Sequence, residues 1–252
     1  GALTIQISVD GPKTIHDAIR GDDSWQHLLK TWQKLKELQR IYPQLSLGII
    51  TVVNHTNYLS YPDFIDEITD TFQPNQISIN LIRDTENRNA EVPHTVLDAY
   101  KSAIERYEWH IQHKTLTAFG YLGGAIVRAK ESVQKELIYR VMRFNEFVTP
   151  CTAGALTYVI WEDGRVNACE MLPDTVGNII GNNPENNFST IVKNEKSDIL
   201  RKKIVAEECK CSYECAMTIN TLFSWPVAGK LWFRVLSGKS SSPLPLPETH
   251  TR

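Results

Sequence analysis

Hydrophobic positions repeat with two distinct periods ahead of Pro150. Residues 3–9 (LTIQISV) read as a strand, closed by Asp10-Gly11-Pro12, a strong turn signal. Over residues 24–41, Trp25, Leu28, Leu29, Trp32, Leu35, Leu38 and Ile41 fall at helical spacing. Residues 45–53 (LSLGIITVV) form a near-continuous apolar run, the pattern of a strand buried on both faces of a parallel sheet. Residues 61–72 predict a short amphipathic helix with Phe64, Ile65, Ile68 and Phe72 inward, and residues 76–82 (QISINLI) a third strand. Two further amphipathic helices are expected over 95–112 and 129–148.

Strand and helix alternate, which predicts βαβ units and an α/β fold with a parallel sheet. Three strands do not close a barrel, so the expectation is an open sheet or half of a larger one. The texture changes at Pro150-Cys151. Residues 157–161 and 165–169 predict a hairpin across Glu162-Asp163-Gly164, followed by a polar Asn/Gly/Pro stretch, a short helix near 195–207 and a cysteine cluster. The expected division is 1–149, 150–225 and 226–252, with the tail SSSPLPLPETHTR reading as disordered.

Composition narrows the class. A formal net charge of -2 gives no basis for a polyanion partner, so nucleic acid is not expected. The most apolar stretch, Leu222 to Leu236, is interrupted by Pro226, Gly229, Lys230 and Arg234, so no membrane span is expected. The first residues lack the basic-then-apolar layout of a signal peptide, which places the expected location in the cytoplasm.

The chemistry lies in five cysteines, all within the second half. An odd number in a chain of this size does not build a disulfide framework. Cys151 and Cys169 have seventeen residues between them, and Cys169 ends Gly164-Arg-Val-Asn-Ala-Cys, a turn glycine followed by a strand. Forty residues on comes Cys209-Lys-Cys211-Ser-Tyr-Glu-Cys215. Four thiolates converging from a hairpin and a distant loop suit zinc or a [4Fe–4S] cluster. Spacing alone does not separate the two metals, although C-x-C-x-x-x-C is not the zinc-ribbon pair. The bland alternative is buried, unligated cysteine packing as a small hydrophobe.

The segment Ile7-Ser-Val-Asp-Gly-Pro-Lys-Thr-Ile-His-Asp-Ala-Ile-Arg20-Gly21 resembles the fourth strand and following loop of radical S-adenosylmethionine (SAM) peptide-modifying enzymes. Thr51-Val-Val-Asn54, with Asn57 close behind, and Ile77-Ser-Ile-Asn-Leu-Ile-Arg83 resemble that family's next two strands. The second half is similar to the SPASM/twitch auxiliary-cluster domain, through a cysteine, a hairpin, G-x-x-x-x-C and the later Gly177-Asn178 pair. The resemblance covers roughly residues 1–225. It implies a partial (β/α) radical SAM barrel of three C-terminal βα units, followed by a small cysteine-rich domain.

The resemblance also implies cofactors and roles. A [4Fe–4S] cluster would bind SAM and generate a 5′-deoxyadenosyl radical, the difficult chemistry belonging to the cofactors. Ser8 and Asp10, at a strand's carboxyl end, and Asn54 would contact SAM, with Leu81 against its adenine. Each has a plain structural alternative: Ser8, Asp10 and Asn54 as turn caps, Leu81 as core. Arg83 would face SAM or substrate, or be solvated; Arg20 is a candidate ion-pair partner of Asp22 or Asp23. His16 and Asp17 read as loop-ordering residues, and Trp25 and Trp32 as core. Cys151, Cys169 and Cys215 would ligate an auxiliary [4Fe–4S] cluster, with Cys209 or Cys211 supplying the fourth thiolate.

The C-x-x-x-C-x-x-C loop that defines the family is not among these 252 residues. The expectation is therefore an inactive C-terminal fragment of a radical SAM oxidoreductase, acting on a peptide or small molecule and supplied with electrons by a flavodoxin or ferredoxin. The competing reading is a non-enzymatic α/β binding module stabilised by zinc or an iron–sulfur cluster.

Overall fold

A computed structural model describes residues 3–83, 91–116, 123–181 and 183–237, with the side chain of Leu3 left out. The SSSPLPLPETHTR tail lies outside the described residues. Two compact units are present: one within Gly1–Ile82, Val92–Tyr139 and Lys230–Arg252, the other within Arg83–Glu91 and Arg140–Gly229.

The first unit is mixed α/β. Strands β1 (Leu3–Ser8), β2 (Leu45–Val53) and β3 (Gln76–Leu81) form a parallel sheet in that order, with Ser8 opposite Ile50 and Val53 opposite Leu81. Helices α1 (Lys13–Arg20), α2 (Ser24–Ile41), α3 (Tyr61–Phe72), α4 (His94–Gln112) and α5 (Gly124–Phe144) connect and follow them. The expected elements over 24–41, 45–53 and 61–72 are present at those bounds. Helix α1 stands where a loop is expected. Pro12 supplies a fixed φ ahead of its first turn, and Lys13 pairs with Asp17 at 2.6 Å, an i,i+4 contact that supports a short helix.

Because side chains alternate along a strand and partners across strands share a face, the register sorts the sheet into two rows. Ile5, Ile7 and Val9 continue through Leu45, Leu47, Ile49, Thr51 and Val53 to Ile77, Ile79 and Leu81. This row is the core side; Tyr61 of α3 donates its hydroxyl to Thr51 Oγ1 at 2.7 Å there, and α2 and α4 lie against the strands. The other row reads Thr4, Gln6, Ser8, then Ser46, Gly48, Ile50, Val52, then Gln76, Ser78, Asn80. It is polar, and Thr4 and Gln6 are exposed. The run 45–53 is buried along both faces, as expected. Its Ser46 and Gly48 belong to a polar row shared with β1 and β3, buried at Ser46, Gln76 and Ser78 and exposed only at Thr4 and Gln6. Gly48 matters sterically: Gln6 Nε2 crosses it to reach Ser78 Oγ at 3.1 Å, and a Cβ on Gly48 would come within 3.0 Å of Gln6 Cγ.

Helix α5 begins and ends earlier than the expected 129–148 and carries buried charge. Lys135 and Glu131 pair at 2.7 Å, and Glu136 meets Arg234 at 3.0 Å. Glu108 and Ser132 complete the group around Arg234. Such charges tolerate burial because each is paired. Burial alone would raise the Glu131 carboxyl, but the ammonium groups of Lys135 and Lys130 hold it down at about 2.

The second unit holds an antiparallel sheet of β4 (Val159–Ile160), β5 (Arg165–Asn167) and β6 (Thr175–Asn178). The hairpin expected over 157–169 is present in shortened form, and β6 stands where the sequence predicts polar loop. Helices α6 (Phe188–Ile191), α7 (Glu195–Ala206) and α8 (Glu214–Phe223) follow, and α9 (Trp225–Ser237) closes the described chain. Asn194 caps α7 by accepting from Ser197 N at 2.8 Å and donates to Val176 O of β6 at 2.9 Å, tying helix to sheet.

Candidate functional site

The small core of the second unit gathers sulfur. Cys169 is buried in a cluster with Ala153, Val166, Ala168, Leu172, Tyr213 and Ala216, and Cys151, Cys209 and Cys211 pack against it. The cysteines at 151 and 169 therefore meet the loop forty residues downstream. Cys215 does not join them: it is exposed, in the first turn of α8, where the Tyr213 hydroxyl hydrogen-bonds it.

Local structure delivers each sulfur. Cys169 follows β5, and Asn167 fixes the next turn by donating to Leu172 O at 3.0 Å and accepting from Thr175 Oγ1 at 3.0 Å. Cys151 is held from α8: buried Asn220 accepts at Oδ1 from Thr152 N at 2.9 Å and Thr152 Oγ1 at 2.8 Å, and its side chain also bonds Cys151. Downstream, Gly154 takes φ +73°, and a Cβ there would meet Ala168 Cβ at 3.2 Å, so glycine lets this loop close on β5. Arg201 of α7 clamps it, donating to Gly154 O at 2.9 Å, Tyr158 Oη at 2.8 Å and Val192 O at 3.0 Å. Cys209 arrives through the end of α7. Glu208 adopts φ +47°, Glu208 N bonds Val205 O at 3.2 Å and Cys209 N bonds Ile204 O at 3.1 Å, a Schellman motif that turns the chain back over the core.

The thiols differ electrostatically. A hydrogen bond with Cys209 is the main influence on Cys151; with the Ala153 N–H and Asn220 it outweighs burial and brings Cys151 down to about 6. Burial pushes Cys211 up to about 12 against the Tyr213 N–H, with the charges of Cys151 and Cys169 adding to the rise. Burial also raises Cys169, although Met171 N donates to its Sγ at 3.4 Å. Cys151 is therefore the readiest of the three to ionise, with Cys169 and Cys211 held as thiols. Four of the five cysteines thus meet on one small apolar core. Among the described residues no group of three or more His, Cys, Asp or Glu side chains is closed to metal-coordinating geometry.

In the first unit, Ser8, Asp10 and Asn54 lie at the carboxyl edge of the parallel sheet. Ser8 ends the polar row, half-buried. Asp10 is buried, its carboxylate paired with Arg20, which corrects the expected pairing of Arg20 with Asp22 or Asp23. Asn54 serves the turn, accepting from Thr56 N at 2.8 Å and Asn57 N at 3.3 Å. The organiser is Asn57, fully buried, which donates to Asp10 O and Val52 O, both at 2.7 Å, and accepts from Asn54 N at 2.8 Å. His16, lowered by burial, accepts from Asp10 N at 3.3 Å, and Asp17 accepts from Trp25 N at 2.7 Å and Ser24 Oγ at 2.9 Å; both stand in helix α1 and not in a loop, and they tie it to the turn before it and to the start of α2. Leu81 is on the core row and 2% exposed, apart from the polar row that Ser8 ends. Trp25 and Trp32 are buried as expected.

Arg83 belongs to the second unit and is not a solvated side chain. It donates to Glu214 Oε2 at 3.0 Å and lies 4.4 Å from the centroid of the Tyr213 ring. Asn220 and Arg201 were missed by sequence reasoning. The available signal for Asn220 was a poor helix former inside a helical run; Arg201 carried none.

The chain matches no known protein-family model, no curated protein and no solved structure. Among the described residues no helix is long and apolar enough to cross a membrane.

Proposed function

We propose that this chain carries the auxiliary-cluster module and the SAM-contacting strand ends of a radical SAM oxidoreductase acting on a peptide or small molecule. The observation that supports this reading is the gathering of Cys151, Cys169, Cys209 and Cys211 on one small core from a hairpin and a loop remote in sequence. A cysteine-only donor set in an apolar shell favours soft-metal ligation, and the module would use these four thiolates, leaving Cys215 outside the first coordination sphere. Asn220 and Arg201 would fix the loop that carries Cys151, as outer-shell partners do in metal sites. At the sheet, Ser8 and Asp10 would meet SAM from the carboxyl edge, where open α/β sheets bind ligands. Arg20 pairs with the Asp10 carboxylate and orients it, and Asn57 fixes its backbone. A SAM-cleaving cluster, whose C-x-x-x-C-x-x-C ligands are not among these residues, would supply one-electron chemistry at that edge.

The test is anaerobic reconstitution of the full chain with ferrous iron and sulfide, with iron, sulfide and zinc quantified. The expected result is a brown protein with about four irons per chain. Cys169→Ser abolishes that loading, and Cys215→Ser leaves it unchanged. A colourless protein holding one zinc overturns the cluster assignment and favours the metal-stabilised binding module.

A further inference from the structure

Helix α4 ends in a turn that brings a buried histidine against an exposed hydroxyl. Lys114 takes φ +56°, Lys114 N bonds Ile111 O at 3.2 Å and Thr115 N bonds His110 O at 3.1 Å, the pattern of a Schellman motif. Thr115 is thereby carried back over His110, and its Oγ1 lies 2.6 Å from His110 Nδ1. The other ring nitrogen, Nε2, lies 2.7 Å from Asp66 Oδ1 on α3. Arg106, one turn before His110, donates from Nε to the same Asp66 oxygen. Burial of Asp66 works against its ionisation, but the hydrogen bonds from Arg106 and His110 outweigh it and bring the carboxyl below its ordinary value. An ionised carboxylate only accepts, so Nε2 carries the hydrogen, and in the neutral imidazole Nδ1 is left as acceptor for the Thr115 hydroxyl. The other acceptor within reach, His110 O, is farther from Oγ1, at 3.2 Å. His110 is buried while Thr115 is exposed, so the base is held in place and the hydroxyl is open to a ligand.

We propose that Thr115, His110 and Asp66 act as nucleophile, general base and orienting carboxylate in acyl transfer from aryl esters. The order hydroxyl, imidazole, carboxylate is the arrangement that activates an otherwise weakly nucleophilic alcohol. Trp109 points to the substrate class. Its ring centroid is 5.1 Å from that of His110, it stacks on His113 at 4.1 Å, and it is 39% exposed. An aromatic surface beside the nucleophile offers stacking to the aryl group of an ester. Thr115 Oγ1 forms a bond to the ester carbonyl carbon as its proton passes to His110 Nδ1. The bond from that carbon to the aryl oxygen breaks, and the imidazolium gives its proton to the departing phenol. Water, deprotonated by the same nitrogen, then cleaves the acyl-threonine and releases the acid. Thr115 N is bonded to His110 O and does not serve the oxyanion, so the reaction requires a good leaving group, a phenol and not an amine. All of these residues belong to the first unit, and the inference does not depend on the cluster reading.

The test treats the full chain with 4-nitrophenyl acetate and follows acetylation residue by residue with peptide mass spectrometry. Thr115 is expected to be acetylated about tenfold or more faster than any other serine or threonine. Thr115→Val, which keeps the shape and removes the hydroxyl, abolishes that label, and Thr115→Ser keeps a label at the same position. His110→Gln is expected to slow acetylation of Thr115 by about 100-fold. Asp66→Asn is expected to slow it by about tenfold or more and Asp66→Glu to recover it, each with the near-ultraviolet circular dichroism of the parent. Should His110→Gln fail to fold, the two Asp66 variants decide in its place. Acetylation of Thr115 at the rate of the other hydroxyls overturns the proposal. So does a folded His110→Gln or Asp66→Asn chain that is acetylated at the parent rate, which leaves the turn as a helix cap only.

Discussion

Asn220→Ala isolates the support of the proposed metal loop. Asn220 is 3% exposed and its Oδ1 receives both the backbone N–H and the hydroxyl of Thr152. The hydroxyl can rotate to another acceptor; the N–H cannot. A buried donor left without a partner costs about 1–3 kcal/mol, and the lost amide packing adds to that, so the expected loss is about 2–3 kcal/mol. With a urea slope of about 1–1.5 kcal/mol/M for a unit of this size, the unfolding midpoint falls by about 2 M. The same change releases the loop bearing Cys151, and loss of an outer-shell partner typically weakens metal binding about 10–100-fold. Chelator competition on the reconstituted protein reads that second effect independently of unfolding. Asn220→Asp is the control. It keeps the acceptor, so the urea midpoint stays near that of the original chain, but its carboxylate next to Cys151 drives that thiol's titration upward from about 6. An Asn220→Ala chain whose urea midpoint and metal retention both match the parent would refute the assignment of Asn220 as the anchor of the Cys151 loop.

Three further outcomes follow from the same physics. Alkylation of Cys151 by iodoacetamide, followed by peptide mass spectrometry, should rise with a midpoint of about pH 6, and a midpoint at its ordinary 9.0 would contradict the Cys209 hydrogen bond as its main perturbation. Glu131 has a folded pKa of about 2 against an ordinary 4.5, so its contribution is complete above pH 4.5 and lost as pH falls towards 2; buried Lys135, itself lowered, offsets part of it. Glu131→Gln should therefore destabilise by up to about 3 kcal/mol at pH 7 and converge with the original chain near pH 2 in urea titrations across that range, whereas parallel curves would count against the pairing. Asn57→Ala removes the partners of Asp10 O, Val52 O and Asn54 N, and should cost about 2–4 kcal/mol and speed hydrogen exchange at the Asn54 amide; unchanged exchange there would refute Asn57 as organiser.

Much of the α/β pattern was legible because long periodic segments carry redundant signal. Seven apolar residues over 24–41 leave only one period open, and the run 45–53 is too short and β-branched for a helix. What failed was local. Helix α1 spans only eight residues and rests on Pro12 and one ion pair, which periodicity does not weigh. Strand β6 is Thr-Val-Gly-Asn, a sequence with no strand period, held by pairing with β5 and by the Asn194 amide. Helix α9 was obscured because Pro226 looked like an interruption; at the second helical position proline has no hydrogen bond to break. The polar row of the parallel sheet was hidden in plain view, since Ser46 and Gly48 read as minor gaps in an apolar run until the register set them beside Gln6 and Ser78.

The choice among the last three cysteines shows where spacing stops carrying information. Cys209-x-Cys211-x-x-x-Cys215 allows any pair to face a common centre, and sequence left Cys209 and Cys211 undivided while placing Cys215 with the ligands. Two backbone events decide the geometry instead. The Schellman motif at Glu208 ends α7 one residue before Cys209, so the chain reverses with its next sulfurs directed onto the core. Helix α8 then starts at Glu214, and its first turn carries Cys215 to the surface, beside Tyr213. A left-handed glutamate costs about 1 kcal/mol relative to glycine and is not a signal that a reader of sequence weights. The prediction this yields is specific: Glu208→Gly should relieve that strain, raising stability by about 1 kcal/mol in urea denaturation with the number of bound metal ions unchanged. Glu208→Val, which resists positive φ, should loosen Cys209 and lower metal retention. Equal retention in both variants would mean that the reversal at Glu208 does not set which sulfurs meet.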